Sequence, residues 1–278
     1  MRHVRTIRAS SPIDAIAHFG GKVVAGSYEY NSETGERTGE LLEIPMRDNQ
    51  SHTTRISNTT GTLSLYATDQ YLYAANTDNI TVYDTDFNVV WFHQTDTGAI
   101  NTFVFRGIDC FYISNTAGRI LIIDDQYNII RVDVSTQPIW VVKEIGGKLY
   151  CGTESGDLYL IEWDLSRILI DGNRLGIIDV VEFNGRILVS GYDDLVVEYS
   201  ISDQRRLAEY TINKSLWRMV VQNDRLICAA MYDGLVVLNK KYEVTDQYQT
   251  ESIGYGILVM DDGILISSFY TNTIELLK

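Results

Sequence analysis

Proline is scarce in this chain, with three residues in 278. Beside an apolar content of 45% and 18 tyrosines, that scarcity suits a strand-rich globular core, because proline cannot donate to a sheet ladder. Cysteine is equally scarce. Cys110, Cys151 and Cys228 stand singly in apolar runs, with neither the paired spacing of a disulfide framework nor that of a zinc site. They read as small core hydrophobes in a reducing compartment. No apolar run approaches the roughly 18 residues that a spanning helix needs, so no membrane partner is expected. The opening MRHVRTIRAS is basic, but no apolar stretch follows it, and a secretory leader is not expected. The expectation is a cytoplasmic protein and a monomer. On that reading the acceptor patterns at Asn58-Thr59-Thr60 and Asn213-Lys214-Ser215 are chance.

Basic residues are outnumbered, 23 against 37, for a net charge of −14. Nucleic acid is therefore a poor direct partner. A basic protein partner suits the charge, and so does plain solubility. The usual marks of chemistry are also missing. There is no glycine-rich phosphate loop ahead of a helix, no HExxH, no CxxC and no G-x-S-x-G elbow. Histidines are only four. His18 and His93 are expected on one face of the fold and His52 in a loop that could reach the other.

What the chain does have is a repeat. Leu216 to Lys240 reads as three short strands separated by Asn223-Asp224 and by Tyr232-Asp233-Gly234. One such meander cannot bury its own faces. Similar stretches start at residues 62, 100, 138, 177, 216 and 255, in steps of 38, 38, 39, 39 and 39. That is the period of a four-stranded propeller blade. A seventh copy starts at Ile13, lengthened by polar segments at 28–38 and 47–60 that read as loops. The fold class is thus all-β, a single seven-bladed β-propeller, WD40-like. Its blades are expected at about 13–46, 62–94, 100–134, 138–171, 177–212, 216–249 and 255–278. The last copy has room for only three strands, so residues 3–9 are expected to supply its outer strand and close the ring. Trp163-Asp164 is expected to close a third strand in the manner of a tryptophan–aspartate repeat, as Tyr83-Asp84 and Ile123-Asp124 do more weakly.

Antiparallel order sorts the residues by face. The starts of the innermost strands share a ring face with the turns between second and third strands. That face gathers Asp14, Asn101, Trp140, Asp179, Trp217 and Arg218 with Tyr28, Glu154, Tyr192, Tyr232, Asp233 and Tyr270. The result is an aromatic and acidic rim around a narrow channel, suited to docking or to a small pocket. Trp217 beside Arg218 could stack on a ligand and pair with a carboxylate. The structural alternative packs Trp217 between blades and pairs Arg218 with Asp179. Gly256, after Tyr255, would let a ligand approach the backbone.

Several segments resemble the diphthine methylesterases, tryptophan–aspartate repeat proteins of diphthamide biosynthesis. Ser215-Leu216-Trp217-Arg218-Met219 resembles their V-W-R-[IL]-K. Cys228 to Gly234 resembles A-A-C-M-H-x-G, and Glu251 to Gly256 resembles H-x-S-[IL]-x-Y-G. Ser267-Ser268-Phe269-Tyr270 resembles C-S-F-Y-D, and Ser190 to Asp194 resembles G-S-Y-D-[ED]. Ala25 to Tyr30, a polar insert and Gly39-Glu40-Leu41 resemble G-T-Y-x-[LY], insert, G-x-L. The likeness spans 190–278 and 11–46. It implies hydrolysis of the methyl ester of methylated diphthine on translation elongation factor 2, with no metal or organic cofactor. Tyr232, Thr250 and Thr271 stand where that family has His, His and Asp. With two histidines gone, the base would be a carboxylate, Asp179, Asp233 or Glu251, or else the protein binds without hydrolysing. The attacking group would be water or a serine, Ser252 or Ser268. Arg218 would stabilise the oxyanion. Trp217, Tyr232, Tyr255, Gly256 and Tyr270 would hold the cationic substrate. The alternative is a non-catalytic propeller scaffold, since propellers more often bind proteins than catalyse.

Overall fold

The computed structural model describes residues 1–46, 51–96, 98–172 and 175–278. Among them the chain forms seven antiparallel sheets arranged as a closed ring of blades. The innermost strands are Ile13–Phe19, Thr62–Ala67, Asn101–Arg106, Ile139–Ile145, Ile177–Phe183, Leu216–Gln222 and Gly254–Met260. Each is followed outward by a second, a third and an outer strand. Second strands are nearly continuous apolar runs, such as Leu72–Asn76 and Arg225–Ala230, because they are covered on both faces by neighbouring blades. Outer strands such as Val89–Gln94 alternate towards solvent.

The ring closes as expected. His3–Arg8 pairs antiparallel with Thr273–Leu277, the third strand of blade 7. Ile7 is fully buried in a cluster with Ile13, Ile274 and Leu42, which joins the first blade to the last.

Blade 1 departs from expectation. Thr54–Thr59, read as loop, is its outer strand and pairs with Arg37–Ile44. The sequence TRISNT lacks an apolar face because the strand is mostly exposed. Residues 47–50 of that expected loop lie outside the described residues. The insert at 28–38 is partly a hairpin extension, with Glu29 opposite Thr38 and Tyr30 opposite Arg37.

One irregularity recurs in every blade. The register of each innermost strand shifts by one residue after its first position. The extra residues are Asp14, Leu63, Thr102, Trp140, Ile178, Trp217 and the Tyr255-Gly256 pair. Such bulges re-aim side chains, and here they sit at the mouth of the channel. The residue preceding each innermost strand accepts a backbone bond from the turn after the second strand. Tyr192 N donates to Gly176 O at 3.0 Å and Phe269 N to Ile253 O at 2.9 Å.

Candidate functional site

All seven innermost strands contribute to a central cavity of about 340 Å³. Asp14, Lys143, Asp179, Arg218 and Gly256 line it together with apolar side chains such as Phe103 and Tyr66. Lys143 and Asp179 are fixed by one arrangement. Asp179 is buried. Its Oδ1 accepts from Lys143 Nζ at 2.7 Å and from Val180 N at 2.9 Å, and its Oδ2 accepts from Met219 N at 2.7 Å. The expected pairing of Asp179 with Arg218 does not form, because lysine from the preceding blade and a backbone N–H from the following one satisfy both oxygens.

Arg218 makes both its hydrogen bonds from Nη1, to the carbonyls of Ile178 at 3.3 Å and Trp217 at 3.1 Å. Its guanidinium carbon lies 5.3 Å from the Phe103 ring centre and 5.4 Å from that of Tyr255. Asp14 Oδ2 is buried and has no hydrogen-bond partner among the described residues. Burial drives the Asp14 carboxyl well above the usual carboxylate range, and the positive charge of Arg218 offsets part of that rise. Burial also raises the Tyr255 phenol, again against the pull of Arg218.

Above the channel the bulged Trp217 and Tyr255 join aromatics of the turns after second strands in a continuous chain of ring contacts. Tyr192 meets Trp217 at 5.6 Å, Trp217 meets Tyr255 at 5.5 Å, Tyr255 meets Phe269 at 5.9 Å and Phe269 meets Tyr270 at 5.2 Å. Trp217 therefore packs between blades 5 and 7, and its indole N–H donates to Ser215 Oγ at 3.0 Å. Tyr270 ends the run 72% exposed, and Tyr232, in the turn between Arg225–Ala230 and Gly234–Leu238, is 70% exposed. Trp140 donates its indole N–H to Glu154. Glu154 in turn raises the Tyr192 phenol, after burial, which is the larger cause.

The expected catalytic groups are not gathered in one place. Asp233 is tied to Lys214 at 2.6 Å on the rim. Glu251 is exposed and acts electrostatically on Tyr248 and Glu275. Ser252 Oγ accepts from Tyr270 N at 3.0 Å. Ser268 is fully buried and its hydroxyl has no partner among the described residues. Gly256 serves the ring itself. A Cβ there would lie 3.2 Å from Asp14 O and from Ser267 Oγ, so the close approach is between blades 7 and 1. Ser267 Oγ completes that junction, accepting from Gly256 N at 2.7 Å and donating to Ile13 O at 2.9 Å.

His52 sits beside the closing strand, bridged through its backbone to Arg8. His18 is exposed near the end of an innermost strand. His93 is not on the His18 face. It pairs with Ile80 near the start of a third strand, at the rim end of the outer edge, and stacks on Trp91 at 5.8 Å. Among the described residues no cluster of three or more His, Cys, Asp or Glu could hold a metal, and no helix is long and apolar enough to cross a membrane.

Two channel residues escaped the sequence. Lys143 and Phe103 are interior positions of apolar strands. The only signal was a lysine inside Ile139–Ile145, an otherwise largely apolar innermost strand.

No family model matches the chain, and no curated protein matches it. Solved structures do. A chain in the crystal structure of a mitotic checkpoint complex superposes with a TM-score of 0.81 at 8% identity, covering 100% of this chain and 94% of that one. The WD40 β-propeller domain of Doa1 superposes at 0.82 and 10% identity, covering 100% and 96%. At such identities the likeness shows the fold, a seven-bladed WD40-like propeller, and function has to be argued from the site.

Proposed function

We propose that the protein is a non-catalytic propeller that docks a cation-bearing segment of a partner protein on its aromatic rim. The observation that carries this reading is the unbroken run of rings from Tyr192 to Tyr270. Rings of this kind supply contact area and quadrupoles for a lysine or arginine, and Glu154 adds negative charge beside Tyr192. The preference of propellers for binding over catalysis supports it further. The test is an array of lysine-containing peptides beside the same peptides with glutamine for lysine. Lysine peptides should be retained and glutamine peptides lost, and Trp217→Ala should abolish retention without lowering the melting temperature by more than a few degrees. Equal retention of both sets would refute it.

A second reading is favoured by one observation, a guanidinium at the channel mouth held by no carboxylate within ion-pair distance among the described residues. Such a group could stabilise the oxyanion of an ester under hydrolysis, on a methylated diphthine of elongation factor 2. Incubation with the fully methylated factor should then remove the mass of one methylene, and an unchanged mass would dismiss this reading.

A further inference from the structure

On the face opposite the rim, four of the turns that end third strands share one build. The backbone N–H of Asp84, Asp124, Glu162 and Asn239 donates to the carbonyl four residues on, at Asn88, Asn128, Ser166 and Glu243. This register shows that Ile161-Glu162 corresponds to Tyr83-Asp84 and Ile123-Asp124. The expected Trp163-Asp164 closure is displaced by one residue, and Trp163 falls in the turn, 82% exposed.

Three residues past each of these donors the backbone has positive φ, at Phe87, Tyr127, Leu165 and Tyr242. A bulky residue accepts that conformation only with good cause. In three of the four the cause is visible, because an aromatic ring turns in and plugs the gap to the preceding blade. Phe87 meets Phe19 at 5.6 Å, Tyr127 stacks on Trp91 at 4.8 Å and Tyr242 meets Tyr210 at 4.3 Å. Blade 5, whose turn is one residue longer, fills the same gap with Ile201, which packs on the neighbouring core. Blade 4 alone among these offers a leucine, and Leu165 is 39% exposed. A cavity of about 190 Å³ opens there between blades 3 and 4.

The walls of this cavity are apolar: Tyr112, Ile122 and Ile130 on one side, Leu149 and Ile161 on the other. Two carboxylates border it. Glu144 accepts from the Tyr112 hydroxyl at 3.2 Å. The Glu162 side chain makes no hydrogen bond or ion pair among the described residues and lines the cavity beside Trp163.

We infer that this cavity is a docking site for a partner protein's segment that inserts one large apolar or aromatic side chain where blades 2, 3 and 6 insert their own. A lysine or arginine close to that anchor would pair with Glu162, and Trp163 would close over the anchor. Two arguments select this occupant. The cavity lies where the sister turns place a ring, so a ring of similar size fits it. The two charged residues that line it, Glu144 and Glu162, are both acidic, on a chain of net charge −14, which favours a basic flank and suppresses an acidic one. The site lies on the opposite face from the aromatic rim and does not depend on that reading.

The test uses a phage-displayed library of short random peptides selected on the full chain, with Leu165→Phe as the comparison. The substitution restores the plug seen in the sister turns and should fold, since Phe87 already holds the same backbone conformation. Selected peptides should carry an aromatic or large aliphatic residue within three positions of a lysine or arginine. They should bind Leu165→Phe at least tenfold more weakly, and Trp163→Ala and Glu162→Gln more weakly too. The inference is overturned if no peptide discriminates against Leu165→Phe, or if the discriminating ones lack a basic residue or ignore Glu162→Gln. It is also overturned if sedimentation shows a dimer that Leu165→Phe dissolves, because the occupant is then a second copy of this chain.

Discussion

Asp179 joins three blades, taking an ion pair from Lys143 and backbone hydrogen bonds from Val180 and Met219. Removing the lysine would strand a buried carboxylate. Lys143→Met should therefore cost roughly 3–5 kcal/mol, read as a lowered denaturation midpoint. Arg218→Ala strands no directly paired acid and loses two cation–ring contacts, so its cost should be about 1–2 kcal/mol. Equal costs for the two variants would contradict the different roles given to Lys143 and Arg218. Glu275 offers a pH test. It is buried, with Oε2 unpartnered among the described residues, and burial pushes its carboxyl up to about 7, aided by the charge of Glu251 and opposed by the Tyr248 hydroxyl. The folded state thus holds a proton that the unfolded state has released, and stability falls as pH rises from about 4.5 to 7. Glu275→Gln should change little at pH 5 and stabilise by up to about 3 kcal/mol at pH 8. A gain of equal size at both pH values would contradict that assignment.

The closing strand His3–Arg8 is the element on which the ring depends, because without it Thr273–Leu277 becomes an open edge. Ile7 is its buried anchor, and Ile7→Ala should cost about 2–5 kcal/mol. Deleting residues 3–8 should replace a single sharp thermal transition with a broad one and promote aggregation, measured by calorimetry and light scattering. This element was legible in the sequence, because the last repeat lacked a strand and the chain start could supply one. Thr54–Thr59 was not legible, since a mostly solvated outer strand has no apolar alternation to read. The seven bulges were equally hidden. The extra residues include aspartate, leucine, threonine, isoleucine and tryptophan, so no one side-chain type marks the position. At the rim, topology alone brought Trp217, Tyr255 and Tyr192 onto one face. The partner of Asp179 could not be read, because it comes from Lys143 on another strand 36 residues away. The displaced Trp163-Asp164 looked like a repeat signature because sequence shows the dipeptide, while only the backbone bonds show its register.

At the scale of the whole molecule, the ring presents two unlike faces: an aromatic and acidic rim over a charged channel, and an opposite face where an apolar cavity opens between blades 3 and 4. The rim carries the central claim, that this propeller holds a partner and leaves it chemically unchanged. The most direct measurement places a photo-reactive benzoylphenylalanine at Tyr270, with Trp217 either intact or replaced by alanine. A single covalent adduct should form with the intact rim, mapping to a partner segment that carries lysine or arginine, and should vanish with Trp217→Ala. The mass of the unlinked partner should be the same before and after incubation. No adduct, an adduct indifferent to Trp217, or a partner lighter by a methylene would contradict the claim.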